Sequence, residues 1–152
     1  MTGVRLRPAC PGEAADLSAL CLRSKAHWGY DPEFMTHCIA PLTVTEAQIA
    51  QQTSCIADVD GVLSGFACLT GKAPVLTLDK LFIAPEAIGK GVGSALLDWA
   101  LDRARDAGGR QLLATADPHA AGFYLHHGAS ADGFDASDAI PGRALPRFAF
   151  SL

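Results

Sequence analysis

The run from Ser54 to Leu69 constrains the fold more than any other part of this chain. Two segments of alternating character, Ser54 to Val59 and Val62 to Leu69, flank the pair Asp60-Gly61. That dipeptide suits the positive φ angles of a two-residue hairpin turn. Strands joined so tightly must be antiparallel. A third strand-like segment, Val75 to Ile83, extends the hairpin into a meander. Directly after it, Gly89, Gly91 and Gly93 stand at alternate positions ahead of a long stretch of helical period. In that stretch Leu97, Ala100, Leu101 and Ala104 make the inner side, and Asp98, Asp102, Arg103 and Arg105 the outer one. Gly108-Gly109 ends it.

The flanking segments add helices on one side and strands on the other. Val4, Leu6 and Pro8 alternate with Arg5, Arg7 and Ala9, the pattern of a half-exposed strand. Gly12 to His27 predicts a helix, because Ala14, Leu17, Leu20 and Cys21 recur at spacings of three and four. Asp31 before Pro32 marks the N-cap of a second helix over Pro32 to Ala40, and Thr45 to Gln51 adds a helical turn. Beyond the long helix, Gln111 to Thr115 is a short apolar strand. Asp117-Pro118 opens a helix that runs through His126 and His127 to Gly128, and Ala129 to Phe134 and Ala144 to Phe150 close the chain around the loop DASDAIPGR. This order predicts an α/β (α+β) fold, a mixed sheet flanked by helices, as a single domain over residues 1–152.

Composition narrows the function classes. Hydrophobic residues make up 49% of the 152 and charged residues 18%, enough apolar surface for one core. The chain contains no run of about 18 apolar residues and its first ten residues, MTGVRLRPAC, contain no apolar signal-peptide core, so no membrane attachment is expected. Five cysteines are scattered singly without a C-x-x-C pair, which predicts neither a disulfide framework nor a metal site and points to a reducing, cytoplasmic compartment. A net charge of -4 with no basic cluster argues against nucleic-acid binding.

The chemistry gathers around Leu81 to Leu96. Alternate glycines at a helix start let backbone N–H groups converge on an anion with no side chain in the way, and Lys90 and Ser94 add a charge and a hydroxyl. Two phosphate-binding patterns fail at named residues. A P-loop would need Gly where Ala84 stands and Ser or Thr where Gly91 stands. In a dinucleotide fingerprint the third glycine would fall one position later, and an antiparallel meander would not precede it.

LFIAPEAIGKGVGSALL closely resembles the acyl-CoA loop of the GNAT (general-control-related N-acetyltransferase) superfamily, with Gly91 and Gly93 at its two glycine positions and Ile88 where Arg or Gln is usual. ADPHAAGFYLHHGA resembles the family's second signature, a helix carrying a Tyr beside the CoA sulfur, here Tyr124. The segments SKAHWGY and PGRALP are similar to those of a subset of small bacterial members, so the resemblance spans nearly the whole chain. It implies a mostly antiparallel central sheet and an acetyl-CoA-dependent N-acetyltransferase that uses acetyl-CoA as acyl donor, needs no metal, and acts on a small-molecule or peptide amine, in a family where homodimers are common. The pyrophosphate would sit on Ile88, Gly89, Lys90, Gly91, Val92, Gly93 and Ser94.

The resemblance further implies that the strand at Leu81 to Ile83 splays from Gln111 to Thr115, so that the pantetheine arm enters between them. The amides of Phe82 and Ile83 would bind the arm or polarise the thioester, and His119 would stand where a side-chain amide often contacts it. Tyr124 would be the general acid for the leaving thiolate. Asp79, the carboxylate on the third meander strand, is the candidate base, with Glu33, His27 and His37 in reserve. Arg143 is either an anchor for an acceptor carboxylate or a surface turn residue. His126-His127 complements a helix C-terminus. A module that binds acyl-CoA without turnover is the alternative.

Overall fold

The computed structural model describes residues 3–152. Its strands are β1 (Val4–Arg7), β2 (Thr53–Val59), β3 (Val62–Lys72), β4 (Val75–Ile83), β5 (Gln111–Thr115), β6 (Ser130–Ala136) and β7 (Ala144–Ser151). They form one sheet in the order β1-β2-β3-β4-β5-β7-β6. Neighbouring strands pair antiparallel except β4 and β5, which run parallel. The hairpin turn falls where expected, with φ of 52° at Asp60 and 79° at Gly61. Such angles are tolerated by Asp and free for Gly.

Among the described residues five helices flank the sheet: α1 (Ala14–Ala26), α2 (Pro32–Leu42), α3 (Glu46–Gln51), α4 (Val92–Asp106) and α5 (Ala121–His126). Their ends follow local chemistry. The Asp31 carboxylate accepts from Phe34 N–H at 2.8 Å at the start of α2, and Thr45 and Gln48 form a reciprocal capping box at α3. Helix α2 runs two residues further than its sequence signals predict, through Pro41. The first helix starts later than expected, since Pro11–Glu13 forms a 3-10 turn ahead of α1.

Leu17, Ile56, Phe66, Leu96, Leu97 and Leu112 are fully buried and join α1, α4 and the sheet in a common apolar cluster. Each such side chain contributes about 1.5–3 kcal/mol of transfer free energy. Helix α4 turns Val92, Leu96, Leu97, Ala100 and Ala104 inward. Leu101, expected in that set, is only half-buried and Leu96 takes its place, a rotation the period alone does not fix. Gly65 permits a close approach of α4 to the sheet, because a Cβ there would lie 2.7 Å from Val92 Cγ1. No helix among the described residues is long and apolar enough to cross a membrane.

Candidate functional site

The parallel strands β4 and β5 remain in register for only three residue pairs, from Val75↔Gln111 to Thr77↔Leu113. Beyond Thr77 they separate, and a cleft of about 620 Å³ opens between them. Strand β4 keeps its other edge on β3, so only its cleft-facing amides are released. Ala84 N–H donates to Ser64 O at 2.8 Å on the β3 side. Successive amides of a strand point to opposite edges, so Phe82 shares the β3 side and its amide is not free, contrary to the sequence expectation. Leu81 and Ile83 turn their amides to the cleft instead. The Ile83 N–H is held by Ser24 Oγ at 3.3 Å, a partner supplied by α1.

One end of the cleft is made of backbone. Gly89 and Gly91 have φ of 84° and 80°, a region costly for residues with a Cβ, and Gly91 is the N-cap of α4 without any capping side chain. The first intrahelical bond at this end is Ala95 N–H to Gly91 O at 3.1 Å, so the amides of Val92, Gly93 and Ser94 precede the hydrogen-bonded ladder. Three donors outside the helical ladder and the positive dipole end gather at this loop. Gly93 has a packing reason as well, since a Cβ there would lie 3.1 Å from the Phe123 ring. The Ser94 hydroxyl bonds His127 Nε2 at 2.8 Å, and His127 Nδ1 bonds the Phe123 carbonyl at 2.8 Å. A carbonyl only accepts, so Nδ1 carries the hydrogen and a neutral His127 takes the Ser94 proton as its bond. His127 thus braces the cradle as well as closing α5.

Tyr124 also lines the cleft, 5% exposed, its ring stacked on Phe148 with centroids 5.4 Å apart. Burial pushes its hydroxyl above the usual phenol range. Asp79 lines the same cleft with a side chain 38% exposed. It accepts from Lys80 Nζ at 3.1 Å and, weakly, from Cys68 Sγ at 3.8 Å. Lys80 is 9% exposed, so Asp79 neutralises an ammonium that would otherwise stand buried without a counter-charge.

The far end is made of side chains from four segments of the chain. Asp117, 9% exposed, accepts from Lys25 Nζ at 2.6 Å and from the Tyr30 hydroxyl at 2.7 Å through Oδ2. Its Oδ1 accepts from the His119 amide at 2.9 Å and from His119 Nδ1 at 2.7 Å. Burial by itself would raise this carboxyl, but the bonds from Lys25, the His119 amide, Tyr30 and the His119 ring outweigh it and hold the group well below the usual carboxylate range. Arg143 donates to Tyr30 Oη at 2.8 Å. Tyr30 stacks on Phe34 at 3.9 Å, and Trp28 on His119 at 4.9 Å.

Asp79, Leu81, Phe82, Ile83, Ile88, Gly93, His119 and Tyr124 therefore line one cleft. Gly89, Lys90, Gly91, Val92 and Ser94 form the loop and first turn at its end, with the Val92 side chain in the core, so that only its amide faces the loop. The reserve residues Glu33, His27 and His37 do not line the cleft. His119 has spent its Nδ1 donor on Asp117, so in neutral form its free Nε2 accepts rather than donates. Arg143, whose role the sequence left open, is a cleft residue and not a free surface arginine. Sequence reasoning missed Ser24, Lys25 and the second role of Asp117. The Asp-Pro pair explained Asp117 as a cap, and nothing in the sequence indicated that Lys25 and Tyr30 would reach it.

The Acetyltransferase (GNAT) family model matches residues 23–129. Among solved structures, a GCN5-related N-acetyltransferase from Rhodopseudomonas palustris is 29% identical, with TM-score 0.84 over 100% of this chain and 98% of that one. The PaiA N-acetyltransferase of Thermoplasma acidophilum, in complex with coenzyme A, is 18% identical with TM-score 0.81 over 99% of both chains. The yncA protein of Salmonella typhimurium, with its cofactor acetyl-CoA, is 20% identical with TM-score 0.68 over 98% of this chain and 94% of that one. No curated protein is a significant sequence match.

Proposed function

Because the chain belongs to the acetyltransferase (GNAT) family, we propose that it transfers the acetyl group of acetyl-CoA to a primary amine by direct attack, with the donor in the cleft between β4 and β5. The single observation that carries this reading is the separation of β4 from β5 after Thr77, which opens toward the glycine cradle at one end and the Asp117 cluster at the other. Residues Gly89 to Ser94 would hold the pyrophosphate by backbone donors, and the absence of side chains at Gly89, Gly91 and Gly93 fits a group that must approach the backbone. The thioester supplies an activated acyl carbon. Everything else falls to the protein.

The amides of Leu81 and Ile83 would donate to the pantetheine arm or to the carbonyl oxygen as it gains charge, with Ser24 yielding the Ile83 N–H. Attack forms a carbon–nitrogen bond and breaks the carbon–sulfur bond. The amine loses a proton, for which Asp79 is the acceptor we assign, directly or through water. The thiolate leaves against Tyr124. A phenol at its ordinary value is already uphill of a thiol by about 2 kcal/mol, and burial raises Tyr124 further. Its main contribution is thus a hydrogen bond to the departing sulfur, and the thiolate takes its proton from solvent as it leaves while Asp79 returns the amine proton to solvent.

Calorimetric titration with acetyl-CoA and with CoA tests the reading. Native protein should bind both, and Gly91→Glu, which strains the αL position and sets a carboxylate at the phosphate site, should weaken binding about 100-fold while the circular dichroism spectrum is kept. No binding by the native protein would overturn it.

A further inference from the structure

The acceptor is open in the reading above, and the charge balance of the cluster at the far end of the cleft bears on it. Lys25 and Arg143 both approach Asp117 Oδ2, so two fixed cations share one carboxylate there, and Asp138, which also lines the cleft, forms no ion pair with either among the described residues. The two cations are not equivalent. Lys25 makes a close ion pair at 2.6 Å, whereas Arg143 Nη2 lies 3.9 Å from the same oxygen, beyond hydrogen-bond reach. The hydrogen bond of Arg143 goes to Tyr30 Oη, a neutral acceptor whose own hydrogen points to Asp117. Arg143 is 20% exposed. A guanidinium so enclosed, without an anion in direct contact among the described residues, is costly unless something compensates it.

Part of the compensation is aromatic. Arg143 Cζ lies 5.2 Å from the Tyr30 ring centre and 4.9 Å from that of Phe34, and Lys25 Nζ lies 5.2 Å and 5.9 Å from the same rings. Tyr30 and Phe34 stand behind the two cations, which themselves line the cleft with Asp117 and His119. The Lys25–Asp117 pair by itself already ties α1 to the segment after β5. The second cation is held in place by Tyr30, backed by rings, and turned to the space where an acceptor must enter.

We propose that Arg143, with Lys25 beside it, is the subsite for a carboxylate on the acceptor, so that the amine acetylated here belongs to a small molecule of amino-acid type. The planar fork of guanidinium donors matches a carboxylate in two parallel bonds, and Lys25 keeps donors beyond the one given to Asp117. At these two cations a polyamine or aminoglycoside would meet like charge. This subsite rests on the acetyltransferase reading and fixes the substrate class within it. Arg143 acts here as an anchor, and bond making is left to Tyr124 and Asp79.

Matched acceptors test it. Thiol release from acetyl-CoA is followed with free amino acids, the corresponding amino-acid carboxamides and spermidine, on native protein, Arg143→Gln and Arg143→Lys, with acetyl-CoA affinity measured on each. The expected result is kcat/KM for reactive acids at least about tenfold above their amides, lost in Arg143→Gln through KM and partly restored in Arg143→Lys, with acetyl-CoA affinity constant within about twofold. Acids reacting no faster than amides, no reaction from either, a preference for spermidine, or an equal loss for acids and amides in Arg143→Gln would each overturn the subsite. The two readings separate by the donor: failure to bind acetyl-CoA removes both, whereas binding with turnover indifferent to the carboxylate removes this one alone.

Discussion

The two ends of the cleft are built from different materials. At the glycine loop the chemistry is carried by amides of consecutive residues, and the side chains matter mainly by being absent, as at Gly89 and Gly91 with their positive φ. At the Asp117 cluster it is carried by side chains of Lys25, Tyr30, His119 and Arg143, which lie 92, 87, 2 and 26 positions away from Asp117 in sequence, the last by subtraction of 117 from 143. A backbone cradle depends on local conformation and tolerates change around it. A side-chain cluster depends on every element that delivers a member, and it holds charge that is expensive when a member is lost. Donor binding and acceptor binding should therefore fail separately.

The largest effect that would break this contrast is at Asp117. In Asp117→Asn, the half-buried Lys25 and Arg143 are left without this counter-charge, and we expect a loss of about 3 kcal/mol, which corresponds to roughly 6–12 °C in Tm for a domain of this size. Acetyl-CoA affinity should be unchanged. Calorimetry of folding and of ligand binding on the same sample checks both halves, and a parallel loss of donor affinity would mean that the two ends are one mechanical unit.

Tyr124 lines the same cleft, and Tyr124→Phe should sharpen the comparison. The ring still stacks on Phe148, so Tm should hold, while kcat falls about 100-fold with acetyl-CoA affinity kept. Pre-steady-state thiol release separates this from slow product departure. An unaltered kcat would remove Tyr124 from the chemistry.

Acid should reach the side-chain end alone, with the smallest effect. The Asp117 carboxyl is depressed in the folded protein, so its stabilising contribution is complete above the unfolded carboxylate value and is lost as pH falls below it. Glu13, held at about 2 chiefly by its hydrogen bond with Arg7, behaves the same way at a distance from the cleft. Tm should fall by a few degrees between about pH 5 and about pH 3, and the fall should be shallower in Asp117→Asn and in Glu13→Gln. An identical slope in Asp117→Asn would show that the cluster contributes nothing to acid sensitivity.

Much of this is legible in the sequence. The Asp60-Gly61 turn, the α2 cap at Asp31 and the end of α4 at Gly108 each rest on residues that suit one backbone geometry far better than others, and each lies where the sequence placed it. The glycine loop was legible for the same reason. Which amides of β4 face the cleft was not, because that parity follows from the register with β3, and the expectation for Phe82 failed there. The face of α4 was missed by one position at Leu101, since the inner stripe is wider than the core that receives it.

The sequence by itself determined the order of elements, the antiparallel meander and the anion-ready helix start, because these follow from backbone preferences that act over a few residues. Only the tertiary structure decided that β4 and β5 part after Thr77, that Ser24 meets the Ile83 amide, and that Arg143 and Lys25 converge on Asp117. Contacts between residues some ninety positions apart are set by how helices and sheet pack as whole bodies, a balance of burial and charge summed over the molecule that no short window of sequence contains.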